Sequence, residues 1–225
     1  MAERLSVIIP ALNEEVRIAT AISSAFSAGA DEVIVVDGGS TDNTSSRAIA
    51  SGARVVRSPR GRGVQLHAGA LAATGEVLFF MHADSLLPSV SKREILELLA
   101  ESNAGYFRLC FDDSSWSVRL VAWAANLRSS LLSLPYGDQA LFLRRSLYES
   151  LGGFRSYPFL EDLDFVRRLR RIGTLRRMSS CVTVSARRLR KPFPLAPILV
   201  SARNVAIALL FMLGASPERL IKLYR

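Results

Sequence analysis

Short apolar runs alternate with helical patterns over residues 1–84. Runs rich in Val, Ile, Leu and Phe predict strands at 5–9, 33–36, 54–56 and 77–81. Apolar residues at helical spacing predict helices at about 14–28, 44–50 and 63–74, with Asn13 capping the first. Strands that alternate with helices through short loops form parallel sheets. The pattern therefore predicts an α/β fold with a Rossmann-like, mostly parallel sheet and helices on both faces.

Residues 85–225 show a less regular pattern. Helical spacing indicates helices at about 89–101, 115–133 and 160–171, and apolar runs indicate strands at 105–111, 140–144 and 174–185. The longest apolar stretch, 195–213, is interrupted by Arg203 and Asn204, and ionisable residues are costly inside a membrane. We expect an amphipathic helix there, packed on the domain or lying at an interface. Without an internal repeat or linker, residues 1–225 are expected to form one domain.

The charge of the chain is positive and unevenly distributed. The net charge is +9, and 49% of the residues are hydrophobic, which is typical of a globular protein and excludes a disordered one. Residues 165–225 contain fourteen Lys and Arg but one acid, Glu218. Such an excess indicates an anionic partner, either phosphate groups or a membrane surface.

Two features bear on cellular location. Cys110 and Cys181 lack the spacing of a metal or redox motif, so we expect reduced core thiols in a reducing compartment. The apolar run at 5–10 is short and is followed by Asn13, Glu14 and Glu15, unlike a secretory signal. The expected location is therefore cytoplasmic, with the inner face of the membrane as a peripheral site.

Polar residues follow two of the predicted strands, where ligands of parallel sheets bind. Asp37 ends the second strand and precedes Gly38 and Gly39, which allow a ligand to approach the backbone closely. Asp84 follows the fourth strand and could hold Mg²⁺ or Mn²⁺, which take few protein oxygens beside substrate phosphates. In each case a turn or a helix cap is the alternative interpretation.

Further candidate residues lie in three other segments. Arg62 and neighbouring arginines stand among glycines before a helix, which suits a diphosphate, although a basic surface loop is the alternative. Glu161 and Asp162 begin a helix, either as caps or with one of them as a general base. The turn at Asp138 and Gln139 could face the same cleft.

Taken in order, these segments resemble the inverting glycosyltransferases of family two, which have the GT-A fold. The resemblance is carried by SVIIPALNEE at 6–15, VVDGGSTDNT at 35–44, ATGE at 73–76, HAD at 82–84 and EDLD at 161–164. The chain is most similar to a bacterial branch called radical-SAM/selenodomain-associated transferases, some of which are assigned to arsenosugar biosynthesis. PYGDQA at 135–140 and SARR at 185–188 carry that finer resemblance.

The resemblance implies a hexosyl transfer from a nucleotide-sugar donor with Mn²⁺ or Mg²⁺. It divides the domain into a nucleotide-sugar half at 1–84, an acceptor half at 85–190 and a helical segment at 191–225. On the donor side it implies metal binding by Asp84 and nucleotide contacts by Pro10, Leu12, Glu14, Asp37, Arg62, Ala83 and either Arg187 or Arg188. On the acceptor side it implies Asp162 as the base, with Glu161, Asp138 and Gln139 nearby.

Two histidines depart from the family pattern. His82 stands where an Asp is usual and His67 replaces a common Asn, although His67 is expected to be a packed helical residue. The Gln-x-x-Arg-Trp motif of processive synthases is absent, which indicates a single transfer. The acceptor is unidentified; a phosphate-bearing or lipid-linked acceptor and a peripheral membrane contact are open, and nucleic acid is not expected.

Two other functional classes are alternatives to a glycosyltransferase. A nucleotidyltransferase would need a glycine-rich basic loop after the first strand, where residues 10–15 read PALNEE. The second alternative is a non-catalytic protein that binds nucleotide or anionic lipid. On this hypothesis the chain binds its ligand without turning it over.

Overall fold

The computed structural model describes residues 3–89, 92–189 and 193–224. Its described residues form one eight-stranded sheet in the order β3-β2-β1-β4-β7-β6-β8-β5. The strands are β1 (Leu5–Ala11), β2 (Glu32–Asp37), β3 (Arg54–Arg57), β4 (Val77–Phe80), β5 (Ser85–Leu86), β6 (Ala104–Phe111), β7 (Leu141–Arg144) and β8 (Leu175–Val184). The helices are α1 (Ile18–Ser27), α2 (Thr44–Ala50), α3 (Arg62–Ala72), α4 (Lys92–Glu101), α5 (Trp116–Leu132), α6 (Arg145–Ser150), α7 (Glu161–Leu169), α8 (Ala196–Met212) and α9 (Pro217–Tyr224).

Most neighbouring strands in this sheet are parallel. The pairs β1–β2, β2–β3, β1–β4 and β6–β8 run parallel, whereas β7 is antiparallel to both β4 and β6, and β5 is antiparallel to β8. The predicted α/β class with a mostly parallel sheet is confirmed.

Helices cover both faces of the sheet. Neighbouring residues of a strand face opposite sides, so Ile9 packs in one apolar cluster and Ile8 in the other. Residues of α1, α2 and α4 complete the first cluster, and residues of α3, α7 and α8 complete the second. Burial on both faces explains why the central strands are apolar at almost every position.

The contact between α3 and the sheet is unusually close. A Cβ atom at Gly69 would lie 2.4 Å from Ile8 Cγ2 and 2.8 Å from Val36 Cγ2, so no larger residue fits there. One turn earlier, Gln65 Nε2 donates hydrogen bonds to the carbonyl oxygens of Ala11 (2.9 Å) and Val36 (2.8 Å). These contacts fix the start of α3 beside the carboxyl ends of β1 and β2.

The predicted start of the first helix is wrong. α1 begins at Ile18, and Asn13 does not cap it but has a left-handed backbone with φ 55°. The reason is tertiary: Asn13 Oδ1 accepts a hydrogen bond from Thr41 N (2.9 Å), and Glu14 N donates to Thr44 Oγ1 (2.8 Å). The loop after β1 is therefore bound to the loop after β2.

The other predicted elements lie close to the observed ones. β1 continues through Pro10 to Ala11, and the predicted helix at 89–101 begins in part outside the described residues. The pattern missed the short elements β5, α6 and α9. Stretch 195–213 forms α8, and no helix in the described ranges is both long and apolar enough to cross a bilayer.

The expectation of two reduced cysteines is wrong. Cys110 in β6 and Cys181 in β8 form a disulfide, with Cα atoms 5.9 Å apart. These strands are neighbours in the sheet, although the residues are separated by 71 positions in the sequence. Sequence spacing could not reveal that proximity. The argument from free thiols to a reducing compartment therefore fails, and the cytoplasmic location remains a prediction.

Candidate active site

The carboxyl ends of four parallel strands meet at one edge of the sheet. Ala11 at the end of β1 is paired with Asp37 at the end of β2, and Asp37 is paired with Arg57 at the end of β3. β4 lies on the other side of β1 and ends at Phe80, just before His82. The segments singled out in the sequence therefore lie side by side.

Asp37 organises the turn that follows β2. It is only 4% exposed; Oδ1 accepts hydrogen bonds from Ser40 N (2.9 Å) and Ser40 Oγ (2.5 Å), and Oδ2 accepts one from Ser45 Oγ (3.0 Å). Burial would raise the pKa of Asp37, but the hydrogen bonds from Ser40 and Ser45 outweigh it and lower the pKa. The carboxylate is charged at neutral pH. Oδ1 already accepts two hydrogen bonds, whereas Oδ2 accepts one and has a further lone pair for a ligand.

Three predicted donor-side residues are in direct contact. Arg187 lies in a 3₁₀ turn, Ala186–Arg188, directly after β8. Its Nη2 atom is 3.2 Å from Asp84 Oδ2 and also forms an ion pair with Glu14 Oε1. One guanidinium thus neutralises two largely buried carboxylates. Glu14 Oε2 is buried and has no hydrogen-bond partner among the described residues, which leaves it available to a ligand.

The acceptor-side helix supplies two carboxylates with different surroundings. Glu161 is fully buried, and its Oε1 atom lies 3.3 Å from Arg62 Nη1. Burial and the neighbouring Asp162 raise the pKa of Glu161 to about 7, with Arg62 opposing them. The structure therefore places Arg62, predicted on the nucleotide, against α7.

Asp162 is held over the turn that follows α5. Its Oδ2 atom accepts a hydrogen bond from Gly137 N at 2.6 Å. A Cβ atom at Gly137 would lie 3.1 Å from both Asp162 Oδ2 and His82 Nε2, so a larger residue would displace these side chains by a few tenths of an ångström. A pocket is lined by residues from β4, α3, α7 and this turn, among them His82, Arg62, Asp162 and Tyr136.

The two residues of that turn have different environments. Burial, together with the charge of Asp162, raises the pKa of Asp138 to about 6, although Arg128 and Arg62 oppose the shift. Gln139, which could face the cleft by its place in the sequence, is fully buried, and its Nε2 atom donates to Phe107 O (3.2 Å) and Ser129 Oγ (3.0 Å). Gln139 therefore links the turn to β6 and α5 through Nε2, whereas its Oε1 atom is buried without a hydrogen-bond partner among the described residues.

The family of this chain follows from a comparison with family models. The model described as glycosyl transferase family 2 matches residues 6–159, which include the strand ends and the Gly137 turn. The chain belongs to glycosyl transferase family 2. The resemblance found in the sequence is thereby confirmed at the level of the family. Its finer part, the radical-SAM-associated branch, stays a prediction.

Curated relatives match part of the chain. Glucosyl-3-phosphoglycerate synthase of Mycobacterium tuberculosis (strain CDC 1551 / Oshkosh) is 41% identical over 96 residues, which are 37% of this chain and 30% of the relative. An uncharacterized glycosyltransferase of Mycobacterium bovis is 38% identical over 104 residues, which are 46% of this chain and 45% of the relative. The matches thus span less than half the length of these relatives.

Solved structures of one relative match the fold over most of the chain. Glucosyl-3-phosphoglycerate synthase from Mycobacterium tuberculosis in complex with phosphoglyceric acid has a TM-score of 0.62 and 26% identity, covering 93% of this chain and 79% of that one. Its complex with Mn²⁺, uridine diphosphate and phosphoglyceric acid has a TM-score of 0.61 and 26% identity, covering 95% and 79%. The GT-A fold is confirmed.

The donor side of this family 2 chain fits a divalent ion bound mainly by substrate. Asp84 precedes β5 and not a helix, so the alternative of a helix cap is excluded. The described residues contain no group of three or more His, Cys, Asp or Glu side chains that could hold a metal alone. A single carboxylate suits Mg²⁺ or Mn²⁺ when diphosphate and water supply the other oxygens.

The remaining candidates are less informative. Pro10 and Leu12 are half-buried at the end of β1, and Ala83 is buried between the two polar residues of its motif. His67 Nδ1 is 2.9 Å from Tyr148 Oη, in accord with its prediction as a packed helical residue. The side chain of Arg188 lies outside the described part of the chain.

Two residues at the site, Arg128 and Tyr136, were not identified as candidates from the sequence. The guanidinium of Arg128 lies 3.5 Å from the centre of the Tyr136 ring, a cation–π contact at the edge of the pocket. Arg128 Nη2 is buried without a hydrogen-bond partner in the described structure. The only signal in the sequence was an arginine in a helix that otherwise carries one charge, Arg119.

Proposed function

We propose that this chain transfers a sugar from a uridine-diphosphate sugar to an acceptor hydroxyl, with a divalent metal ion and inversion at the anomeric carbon. The observation that carries the proposal is the contact of Asp84, Glu14 and Arg187 at the strand ends of a family 2 fold. The relative with 26% identity contains Mn²⁺ and uridine diphosphate in its complex. Asp84 would hold the ion, which neutralises the leaving diphosphate.

The protein's own donor-side residues would bind and orient the nucleotide. Asp37 is charged and buried at the end of β2, where it would accept hydrogen bonds from the base. Arg187 would give the diphosphate a second positive charge, since guanidinium groups bind phosphate oxygens well. Pro10, Leu12 and Glu14 would line the base pocket, and Ala83 would border the nucleotide.

Asp162 is the proposed general base. The hydrogen bond from Gly137 N fixes its carboxylate in the pocket. As the acceptor oxygen bonds to the anomeric carbon, its proton passes to Asp162, and the electrons of the breaking carbon–oxygen bond go to the diphosphate. Glu161 is less suited to this task because it is fully buried and paired with Arg62. We assign Glu161 a positioning role.

The balance of charges in the acceptor pocket indicates whether the acceptor carries a phosphate group. Two arginines are present, but Glu161 pairs with Arg62 and the Tyr136 ring covers Arg128. Asp138 and Asp162 add negative charge beside them. A phosphorylated acceptor, such as the phosphoglyceric acid of the relative, would need an excess of cations here. This balance favours an acceptor whose reacting end carries no phosphate.

A nucleotide-release assay tests the proposed function. The chain would be incubated with Mn²⁺ and a panel of nucleotide sugars, with phosphoglyceric acid or a neutral sugar as acceptor. We expect uridine diphosphate to be released from one donor, faster with the neutral acceptor than with phosphoglyceric acid, and in far smaller amounts by Asp84→Asn. Nucleotide binding without release from any donor would support a non-catalytic binding protein and contradict the proposal.

A further inference from the structure

One face of α5 exposes large apolar side chains. They follow one another at intervals of three or four residues, which places them on a single helical stripe. The exposed fractions are 58% for Trp116, 42% for Leu120, 62% for Trp123, 41% for Leu127 and 73% for Leu131. The opposite face of α5 already packs on the protein through Val118 and Val121. The exposed apolar stripe of α5 is therefore not needed for packing α5 on the rest of the protein.

The neighbouring helix α8 also exposes apolar side chains. α8 is in contact with α5 and exposes Leu199 (61%) and Leu210 (42%), and Leu213 (85%) directly follows its last residue. Single exposed leucines are common on proteins, but large contiguous apolar patches mark interaction sites. We call the exposed stripes of α5 and α8 the apolar face.

The charges within α5 and α8 all have one sign. α5 contains Arg119 and Arg128, α8 contains Arg203, and neither helix contains Asp or Glu. Arg119 and Arg203 are exposed. Exposed tryptophans with flanking arginines match the chemistry of a membrane interface, where the indole ring lies at headgroup level.

We propose that the apolar face docks on a bilayer that contains anionic lipids. The same charges argue against a second copy of the chain as the occupant. A two-fold symmetric interface pairs a surface with itself, so Arg119 and Arg203 would meet arginines with no acidic residue of either helix to compensate. An anionic bilayer supplies the missing negative charge and accepts the apolar side chains.

The apolar face adjoins the acceptor side of the candidate site. Arg128 of α5 stacks on Tyr136 of the pocket. Arg203 of α8 lies over the ring of Tyr224, which stacks on Phe159, just before α7. Docking would therefore hold the acceptor pocket near the membrane surface. The inference goes beyond the proposed transfer and does not depend on it, since vesicle binding is measured without donor or acceptor.

The two tryptophans give a direct test. Trp116 and Trp123 are the only tryptophans of the chain and both lie on the apolar face, so intrinsic fluorescence reports on this surface alone. We expect a blue shift of the emission, and cosedimentation, with vesicles of phosphatidylcholine and phosphatidylglycerol. Both signals should weaken with phosphatidylcholine alone or at high salt, which screens the charge attraction. Absence of both signals at low salt with anionic vesicles would overturn the proposal.

Two double variants distinguish vesicle binding through the apolar face from an effect of net charge alone. Leu120→Glu with Leu127→Glu keeps both tryptophans and should weaken vesicle binding about tenfold or more, because anchors are lost and repelling charges added. Ile49→Glu with Leu71→Glu adds the same charge at exposed apolar positions of α2 and α3 and should change binding far less. Equal losses in the two double variants would contradict the proposal. So would a concentration-dependent dimer whose formation alone, without vesicles, shifts the tryptophan emission.

Discussion

The guanidinium of Arg187 lies 3.2 Å from the carboxylate of Asp84. The same guanidinium contacts Glu14, so one cation joins the loop after β1 to the segment after β4. A divalent ion at Asp84 needs that carboxylate, and the ion and the arginine therefore compete for it. Diphosphate oxygens would give Arg187 a new partner once the donor binds.

Replacing Arg187 should affect the metal and the nucleotide in opposite directions. Arg187→Gln should raise the affinity of the nucleotide-free protein for Mn²⁺ roughly two- to fivefold, since a partly exposed ion pair contributes about 0.2–1 kcal/mol. The same variant should bind uridine diphosphate with Mn²⁺ more weakly. Electron paramagnetic resonance of free Mn²⁺ measures the first effect, and calorimetry measures the second. Arg177→Gln, an exposed arginine of β8, is the matched control; unchanged Mn²⁺ affinity in Arg187→Gln would argue against competition.

The buried Glu161 should make folding stability depend on pH. Its pKa is raised from 4.5 to about 7, so the folded protein holds this proton more tightly than the unfolded chain does. The resulting stabilisation is fully present below pH 4.5 and is lost as the pH rises through about 7. Glu161→Gln cannot lose a proton and should gain stability relative to the parent protein between pH 5 and 8. Urea denaturation at pH 5 and pH 8 measures the free energy of unfolding, with Glu101→Gln at an exposed position as control. Equal changes with pH in the parent protein and in Glu161→Gln would contradict a raised pKa of Glu161.

The turnover numbers of three variants show which carboxylate is the general base. Asp162→Asn keeps an oxygen for the hydrogen bond from Gly137 N but loses the basic carboxylate, so the turnover number should fall roughly 10²–10⁴-fold. Affinity for the nucleotide sugar should stay within about twofold, because the base acts on the acceptor. Glu161→Gln and Asp138→Asn should lose less. Normal turnover by Asp162→Asn would move the base to one of those two residues.

The disulfide between β6 and β8 should contribute to stability. It closes a long loop between Cys110 and Cys181, and removing such a crosslink typically costs about 2–4 kcal/mol in the free energy of unfolding. The double variant Cys110→Ala with Cys181→Ala should therefore unfold at lower urea concentration, as should the parent protein in a reducing agent. Detection of two free thiols in the unreduced, unfolded protein would show that the crosslink does not form.

Residues near one another in the sequence were predicted well because local rules govern them. The strand before Asp37 follows from its apolar run, and the helix that begins at Glu161 follows from apolar periodicity and an acidic first turn. Both were found within two residues of their predicted bounds. Contacts across the chain were not accessible in this way. The pairing of Arg62 with Glu161 and of Glu14 with Arg187 depends on how α3, α7 and β8 pack on the sheet.

The same limit explains the wrong prediction at Asn13 and the unexpected burial of Gln139. Asn13 carries the usual side chain of a cap, but the loop after β2 offers it a partner that no local pattern shows. Gln139 is polar and lies in a turn, which normally indicates exposure. Its partners in α5 and β6 make burial possible. Sequence patterns thus identified the strand ends of the site, whereas the orientation of individual side chains required the structure.

Calorimetric titration of a uridine-diphosphate sugar tests the central claim most directly. The parent protein and Asp84→Asn would each be titrated with Mn²⁺ and again with a chelator, with exposed Glu97→Gln as the matched control for loss of a charge. We expect binding by the parent and by Glu97→Gln that requires Mn²⁺, and a loss of about tenfold or more in Asp84→Asn, since the ion links the protein to the diphosphate. Equal affinity in all three proteins, or binding by the parent that is unchanged by the chelator, would contradict a metal-dependent donor site at Asp84.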